Sequence, residues 1–201
     1  PRMGGLAIFL GFIISVLLFV EVDDQMKGIL LGSVIIVVMG IIDDITPLRA
    51  SLKFVIQILA ALIPVYYGVQ ITCISNPNLF SDNPYWNFGW LSIPITVIWI
   101  VGLTNAVNLI DGLDGLAIGV SSISALTMLA IAILVAEPQV AVIMAALVGA
   151  CIGFMPYNMN PAKIFMGDTG STFLGYILAC ITIQGLFKFY AVISFVVPFL
   201  I

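Results

Sequence analysis

Long apolar runs separated by short polar breaks dominate the chain. Several runs, such as those at residues 6–20, 26–42 and 116–136, approach or reach the roughly 17 to 25 apolar residues that a helix needs to cross a lipid bilayer. The runs predict helices at residues 6–20, 27–42, 52–67, 91–109, 116–136, 139–157 and 172–187, with an eighth beginning at residue 190. Barrel strands would be shorter and would alternate in polarity.

Backbone polar groups within lipid need partners in their own segment, and a helix supplies them. The pattern therefore predicts an all-α fold, a polytopic bundle of about eight transmembrane helices. We expect a single integral membrane domain over residues 1–201, because no stretch of the sequence has the composition of a soluble domain.

Composition supports a membrane protein and excludes several other classes. Of the 201 residues, 62% are hydrophobic and 8% are charged, whereas soluble domains carry roughly 25% charged residues. The net charge of −4 excludes a basic surface for nucleic acid. The sequence contains no histidine, so imidazole ligands and bases are absent from it. The three cysteines are expected to be small hydrophobic residues and not metal ligands.

Counting the crossings places four polar segments on the same side of the membrane. They are residues 1–5, 43–51, 110–115 and 158–171. This side carries more basic residues than the other, with Arg2, Arg49, Lys53 and Lys163 against Lys27 and Lys188. Because cytoplasmic loops are enriched in Lys and Arg, the polar segments are expected to face the cytoplasm.

The first polar motif is the pair Asp43-Asp44 at the end of an apolar run, followed by Arg49 and Lys53. A charge at the centre of a membrane helix costs about 3 kcal/mol, so paired acids at the membrane edge require water, a cation or a functional role. A polar turn that ends the helix would explain the pair equally well.

The second motif spans residues 105–117. Asn105, Asn108 and Asp111 recur three residues apart, which places them along roughly one face of a helix and directs them to a common polar cleft. Asp114 follows, and the glycines at 112 and 115 permit a tight turn or a close approach to a ligand. Capping of helix ends is the alternative, although it needs fewer polar residues than are present.

The third motif spans residues 160–171 and leads into the helix predicted from residue 172. It contains Lys163 and the segment Gly167-Asp168-Thr169-Gly170-Ser171. A helix start with free N–H groups, a hydroxyl and a carboxylate suits a phosphate held through Mg²⁺. A simple N-cap by Asp168 or Ser171 is the alternative. The supply of Asp and Asn oxygens favours Mg²⁺ or Mn²⁺ over Zn²⁺.

Together these motifs resemble those of the polyprenyl-phosphate N-acetylhexosamine-1-phosphate transferases, glycosyltransferase family 4. The resemblance is carried by Pro1-Arg2-Met3-Gly4-Gly5, Asp43-Asp44, residues 105–117 and residues 165–171, in the family's order. The opening segment is most similar to the bacterial undecaprenyl-phosphate GlcNAc-1-phosphate transferases, because the related phospho-MurNAc-pentapeptide transferases commonly have Thr where Arg2 stands. Family members have a further N-terminal helix and a C-terminal His-containing loop, so the chain is expected to be a fragment.

The resemblance implies a reaction and a set of site residues. A UDP-sugar would be the donor, undecaprenyl phosphate in the membrane the acceptor and UMP the leaving group, and the product would start a polymer such as teichoic acid or O-antigen. Mg²⁺, or Mn²⁺, would bind to Asn108 and Asp168. The implied catalytic residues are Asp43, Asp44, Asp111 and Asp114, the last two as neighbours of the metal site or of uracil. The implied substrate-binding residues are Lys53, Asn105, Lys163, Gly167 and Ser171.

The sequence is also compatible with other functions. Phospho-MurNAc-pentapeptide transfer is the nearest alternative. A secondary transporter would also place acids in a membrane, but its site would lie near the midplane and not at helix ends on one side. A prenyltransferase or an alcohol phosphotransferase would require further spaced acids. A homodimer, the sugar and the polymer pathway are likewise left open.

Overall fold

The computed structural model describes residues 3–75 and 85–185. Within these ranges seven α-helices follow one another: α1 Gly4–Phe19, α2 Asp24–Ile45, α3 Ala50–Tyr66, α4 Ser92–Ile110, α5 Leu116–Leu134, α6 Pro138–Asn158 and α7 Gly167–Gln184. The predicted all-α bundle is confirmed. The helix expected from residue 190 lies outside the described residues.

Several helices have the dimensions of membrane spans. In the described part of the chain, four helical stretches are long and apolar enough to cross a bilayer: Asp24–Ile45, Gly89–Ile110, Leu116–Leu134 and Pro138–Asn158. Large apolar side chains also face outward, including Leu18, which is 70% exposed, and Ile98, which is 71% exposed. Such side chains are unfavourable in water and favourable in lipid, so the outer surface of the bundle suits a membrane.

Helix α7 occupies the centre of the bundle. All residues from Thr169 to Ile183 are buried, and the helix packs against α1, α2, α4 and α5. The Phe173 ring meets Phe9 and Phe12 edge-on, with ring centroids 5.3 and 5.6 Å apart. A helix that is apolar on every side belongs in a core. From Thr169 onwards α7 is therefore held in place by its neighbours, whereas Gly167 and Asp168 at its start are only partly buried.

Helices α2 and α7 approach each other closely at Gly40. A Cβ atom at this position would lie 2.5 Å from the Cα atom of Thr169, so a larger residue would force the two helices apart. Small residues allow this kind of close backbone contact between membrane helices. The contact brings Asp43 and Asp44, one turn further along α2, next to the start of α7.

Two boundaries differ from the sequence prediction in ways that affect the site. Helix α2 continues to Ile45, so the acid pair lies in its last turn. Helix α7 begins at Gly167, five residues before the predicted start at residue 172. Asp168 and Ser171 are thus helical residues and not N-caps, because the N-cap position belongs to Met166.

A short antiparallel ribbon was not predicted. Strands β1 (Cys73–Ser75) and β2 (Tyr85–Asn87) pair with Ile74 opposite Trp86. Each strand has three residues, too few to give a recognisable alternating pattern. Tyr85, Trp86 and Trp90 are exposed, which fits the aromatic belt expected at a membrane interface.

The polar segments predicted to share one side do meet at one end of the bundle. The N–H group of Gly5 donates to the carbonyl of Met166 at 2.9 Å, joining the start of α1 to the loop before α7. The N–H group of Ala162 donates to Asp114 Oδ2 at 3.0 Å. At the opposite end, Gln139 Nε2 donates to the carbonyl of Glu21 at 3.1 Å.

Candidate active site

Lys53 links two acids from different motifs. Its Nζ atom donates to Asp43 Oδ2 at 3.0 Å and to Asp168 Oδ2 at 2.8 Å. The second oxygen of Asp43 accepts the N–H of Leu48 at 2.7 Å, and the Asp43 side chain is only 10% exposed. One ammonium group from α3 therefore joins carboxylates from α2 and α7.

Asp44 points in a different direction from Asp43. Its Oδ1 atom accepts the N–H of Asp168 at 2.8 Å, and its Oδ2 atom accepts the N–H of Thr169 at 3.0 Å and the Thr169 hydroxyl at 2.6 Å. Successive residues on an α-helix are rotated by about 100°, so adjacent acids face different neighbours. The two N–H groups that could have held a phosphate at the start of α7 are thus occupied by Asp44.

The predicted metal ligands Asn108 and Asp168 lie side by side. Asn108 Nδ2 donates to the Ser171 hydroxyl oxygen at 2.9 Å, and the same side chain lies near the Asp168 carboxylate. The Ser171 hydroxyl in turn donates to the carbonyl of Gly167 at 2.9 Å. The end of α4 and the start of α7 are fixed to each other through this network.

Two predicted substrate-binding residues are placed elsewhere. Asn105 donates through Nδ2 to Gln57 Oε1 and to the carbonyl of Val101, so it joins α4 to α3. Residues six apart on a helix differ in direction by roughly 120°, and this divergence turns Asn105 away from the direction of Asp111. Lys163 is exposed, and its backbone N–H donates to the carbonyl of Tyr157. Substrate binding by either residue stays a prediction.

A polar cavity of about 270 Å³ opens beside these contacts. Its lining residues come from α2, from the turn after α4, from the end of α6, from the loop before α7 and from the start of α7: Asp44, Asp111, Gly112, Leu113, Asp114, Asn158, Phe165, Gly167 and Asp168. Burial, together with the nearby Asp168 and Asp44 carboxylates, raises the pKa of Asp111 to about 7. The cavity wall therefore concentrates negative charge that a cation would offset.

Asn158 and Phe165 lie in segments that the sequence analysis identified, but they were not among the predicted site residues. Asn158 is 2% exposed, its Nδ2 atom donates to the carbonyl of Ile164 at 3.0 Å, and its Oδ1 atom has no hydrogen-bond partner within the described residues. Buried polar atoms are nearly always paired, so this oxygen is an exception at the edge of the cavity. The Phe165 side chain is 48% exposed at the same cavity. A lone Asn near a helix end has no distinguishing sequence pattern.

The residues at the cavity fit Mg²⁺ or Mn²⁺. Across residues 3–75 and 85–185, no three Asp, Glu, Cys or His side chains converge as a metal cage. Mg²⁺ is usually held by one or two carboxylates together with waters and substrate phosphates, so it does not require a full cage of protein ligands. Asp168 lines the cavity, and Asn108 lies beside it without lining the cavity. Together they offer a carboxylate and an amide group, which are chemical groups that suit a hard cation.

The apolar helices and the charged cavity at one end define the class of protein, an all-α integral membrane protein. The model of glycosyl transferase family 4 matches residues 26–186, and the chain belongs to this family. The family membership that the motifs predicted is therefore confirmed.

Relatives with assigned activities are similar over most of the chain. A Bacillus subtilis protein named "Probable undecaprenyl-phosphate N-acetylglucosaminyl 1-phosphate transferase" is 43% identical, over 100% of this chain and 56% of the relative. A phospho-N-acetylmuramoyl-pentapeptide-transferase of Caldicellulosiruptor bescii is 39% identical, over 87% of this chain and 57% of the relative. A decaprenyl-phosphate N-acetylglucosaminephosphotransferase of Mycobacterium tuberculosis is 38% identical, over 89% of this chain and 48% of the relative. The chain thus spans about half the length of the curated relatives that it matches.

Proposed function

We propose that the protein transfers GlcNAc 1-phosphate from a UDP-sugar to undecaprenyl phosphate and releases UMP. The observation that carries this proposal is the position of Asp168, which lines the cavity and also pairs with Lys53 outside it. A group at this boundary can contact a donor in the cavity and an acceptor beside Lys53. The names of the relatives support the same chemistry for the family.

The cavity is suited to the nucleotide part of the donor. Phe165 offers a half-exposed aromatic face to a flat base. Asp111 and Asp114 lie on the same wall, where either could contact the base or the sugar hydroxyls.

The pair formed by Asp43 and Lys53 is suited to the lipid phosphate. An ammonium group binds phosphate as a point charge, and Lys53 is 25% exposed and can exchange its carboxylate contacts for a phosphate. Phe54 and Val55, on the same helix, are each 52% exposed and present apolar surface. A polyprenyl chain could therefore remain in the bilayer while its phosphate reaches Lys53.

The chemistry requires positioning more than strong acid–base catalysis. A phosphate oxygen of the acceptor forms a bond to the sugar-bearing phosphorus, and the bond from that phosphorus to UMP breaks, with UMP taking the electron pair. A phosphate monoester has a second pKa near 6, so the acceptor is already largely a dianion at neutral pH. Asp43 would then orient the acceptor phosphate or remove a residual proton.

Asp168 and Asn108 are the residues that would hold Mg²⁺. A bound Mg²⁺ would neutralise negative charge on the donor diphosphate. Asp168→Asn and Asn108→Ala should each abolish transfer while protein amounts in the membrane stay near normal. Wild-type turnover by either variant at limiting Mg²⁺ would refute the assignment.

The site is proposed to face the cytoplasm in a multi-pass arrangement. Arg49, Lys53 and Lys163 lie at the end of the bundle that holds the cavity, and the described basic residue at the other end is Lys27. The bias is in the direction expected for a cytoplasmic face. UDP-sugars are made in the cytoplasm, so the donor would reach the cavity directly.

A second candidate is transfer of phospho-MurNAc-pentapeptide. It is supported by relatives such as the phospho-N-acetylmuramoyl-pentapeptide-transferase that is 39% identical over 87% of the chain. Transfer of GlcNAc 1-phosphate is supported by the Bacillus subtilis relative, which is 43% identical over the whole chain. Arg2 is the residue that favours GlcNAc-1-phosphate transfer over phospho-MurNAc-pentapeptide transfer. It lies outside the described residues. The choice therefore rests on the sequence comparison.

The test is an assay of the protein at its full natural length in membranes, with undecaprenyl phosphate, Mg²⁺ and a panel of radiolabelled UDP-sugars. UDP-GlcNAc is expected to label the lipid fraction, and the labelling should require both added lipid and Mg²⁺. Labelling only from UDP-MurNAc-pentapeptide would select the second candidate. Failure of every donor to label lipid would overturn the proposed function.

A further inference from the structure

Asp44 makes a set of contacts that its neighbour Asp43 does not share. Its three hydrogen-bond donors are the N–H groups of Asp168 and Thr169 and the hydroxyl of Thr169, all in the first turn of α7. The residue at the N-cap position of α7, Met166, makes no side-chain cap hydrogen bond. A residue of α2 therefore supplies the cap that α7 lacks in its own sequence.

This cap is built into the packing between α2 and α7. Thr169 is fully buried, and Gly40 lets the α2 backbone approach it closely one turn before Asp44. A carboxylate at a helix N-terminus is stabilised by the unpaired N–H groups and by the helix dipole. Both oxygens of Asp44 are used for these bonds, which distinguishes Asp44 from an acid that is free to bind a ligand.

We propose that Asp44 is a positioning residue, which caps α7 across the helix interface and thereby sets the place of the Asp168 carboxylate between the cavity and Lys53. The inference rests on the proposed function, in which Asp168 serves the donor diphosphate and its cation. The N–H of Asp168 itself is one of the bonded groups, so the cap acts directly on the backbone that carries this carboxylate. Groups that orient a ligating residue in this way affect metal affinity without touching the metal.

The competing role for Asp44 is that of a direct metal ligand, and the two roles predict opposite effects on stability without metal. A ligand acid would add to the repulsion among the cavity carboxylates, so neutralising it in metal-free buffer would stabilise the fold. A cap acid satisfies buried N–H groups, so neutralising it would destabilise the fold. The sign of the change in stability when Asp44 is neutralised in metal-free buffer therefore separates the two roles.

The first experiment measures thermal unfolding of the purified protein in EDTA at pH 8. Asp44→Asn keeps the size of the side chain but loses an oxygen acceptor, so the melting temperature should fall by several degrees. Asp111→Asn is the matched control, and its melting temperature should rise, because burial and the nearby Asp168 and Asp44 carboxylates disfavour the charged form of Asp111. A rise for Asp44→Asn would overturn the proposal. This measurement requires no catalysis, so it stands even if the proposed reaction fails.

The second experiment changes Thr169, whose hydroxyl donates to Asp44. Thr169→Val removes the hydroxyl that donates to Asp44 and keeps the shape of the side chain, and Thr169→Ser retains the hydroxyl. We expect Thr169→Val to weaken Mn²⁺ binding, measured by electron paramagnetic resonance, and to raise the Mg²⁺ concentration for half-maximal transfer, each by roughly 10-fold or more. Thr169→Ser should restore both. Wild-type metal binding by Thr169→Val, with complete loss in Asp44→Asn, would identify Asp44 as a ligand instead.

Discussion

At the scale of single residues, two adjacent aspartates have separate environments. Asp43 is paired with Lys53, whereas Asp44 bonds to the first turn of α7. The sequence presents them as one acidic pair, because nothing local distinguishes them. Their difference follows from helix geometry, which turns neighbouring side chains by about 100°. Substitutions at the two positions should therefore produce different defects.

Asp43→Asn should impair use of the acceptor more than binding of the donor. The expected loss of turnover is on the order of the 10²- to 10⁴-fold typical of a positioned acid or base. If the role of Asp43 is to remove a residual proton, activity should recover as the pH rises past the second phosphate pKa near 6. The measurements are turnover against pH and binding of the UDP-sugar to the purified variant. Unchanged turnover with weakened UDP-sugar binding would move Asp43 to the donor site.

Asp111 should make stability depend on pH in the absence of metal. Its pKa of about 7 in the folded protein lies above the roughly 3.9 of an unfolded aspartate. Folding therefore takes up a proton between these values, and the stability of the fold declines as the pH rises through this window. Asp111→Asn removes the effect, so its gain in melting temperature in EDTA should be larger at pH 8 than at pH 5. An equal gain in melting temperature at pH 5 and pH 8 would contradict the raised pKa of Asp111.

At the scale of helices, the site depends on how closely α2 approaches α7. The position of the acid pair relative to Asp168 is set by a glycine contact one turn away, at Gly40. In sequence, this glycine is only a weak helix former within an apolar run. Its role becomes visible when the facing backbone of Thr169 is known.

Gly40→Ala should destabilise the fold and reduce transfer. The added methyl group would lie 2.5 Å from the Cα atom of Thr169, and overpacking of this kind typically costs about 1 to 3 kcal/mol. Gly102→Ala in α4 is the control, because a Cβ atom there meets nothing within 4 Å. The control should be neutral or slightly stabilising, since Ala favours helix more than Gly. Equal melting temperatures and activities for the two variants would show that the close contact is not required.

The helices themselves were largely predictable, and the starts and ends that form the site were not. Apolar runs gave the seven described helices because span length and hydrophobicity are local properties. The start of α7 was placed five residues late, since its cap comes from Asp44, which is distant in the sequence. Asn105 was assigned to the cleft from spacing alone, but it bonds to Gln57 on α3, a partner that spacing cannot reveal.

At the scale of the whole molecule, the polar segments gather at one end of an apolar bundle. Three motifs separated by long stretches of sequence meet through Lys53, Asp168 and Asn108. A site at one end of the bundle allows a soluble donor and a membrane-bound acceptor to meet at the membrane surface. A transporter would instead be expected to place such groups near the midplane.

The orientation in the membrane can be tested with single cysteines in a background that lacks Cys73, Cys151 and Cys180. Thr46→Cys and Leu113→Cys should be protected from an impermeant thiol reagent in intact cells, and Glu137→Cys should be labelled. All three positions are exposed, so access depends on the side of the membrane. Labelling at position 113 in intact cells would contradict a cytoplasmic site.

In the proposed reaction a phosphoryl group moves together with the sugar, so the fate of the β-phosphate distinguishes this reaction from transfer of the sugar alone. Membranes that contain the full-length protein would be supplied with undecaprenyl phosphate, Mg²⁺ and UDP-GlcNAc labelled with ³²P at the β-phosphate. ³²P should enter the lipid, and unlabelled UMP should be released in equal amount. Recovery of the ³²P in UDP, with the sugar alone on the lipid, would contradict the proposed reaction.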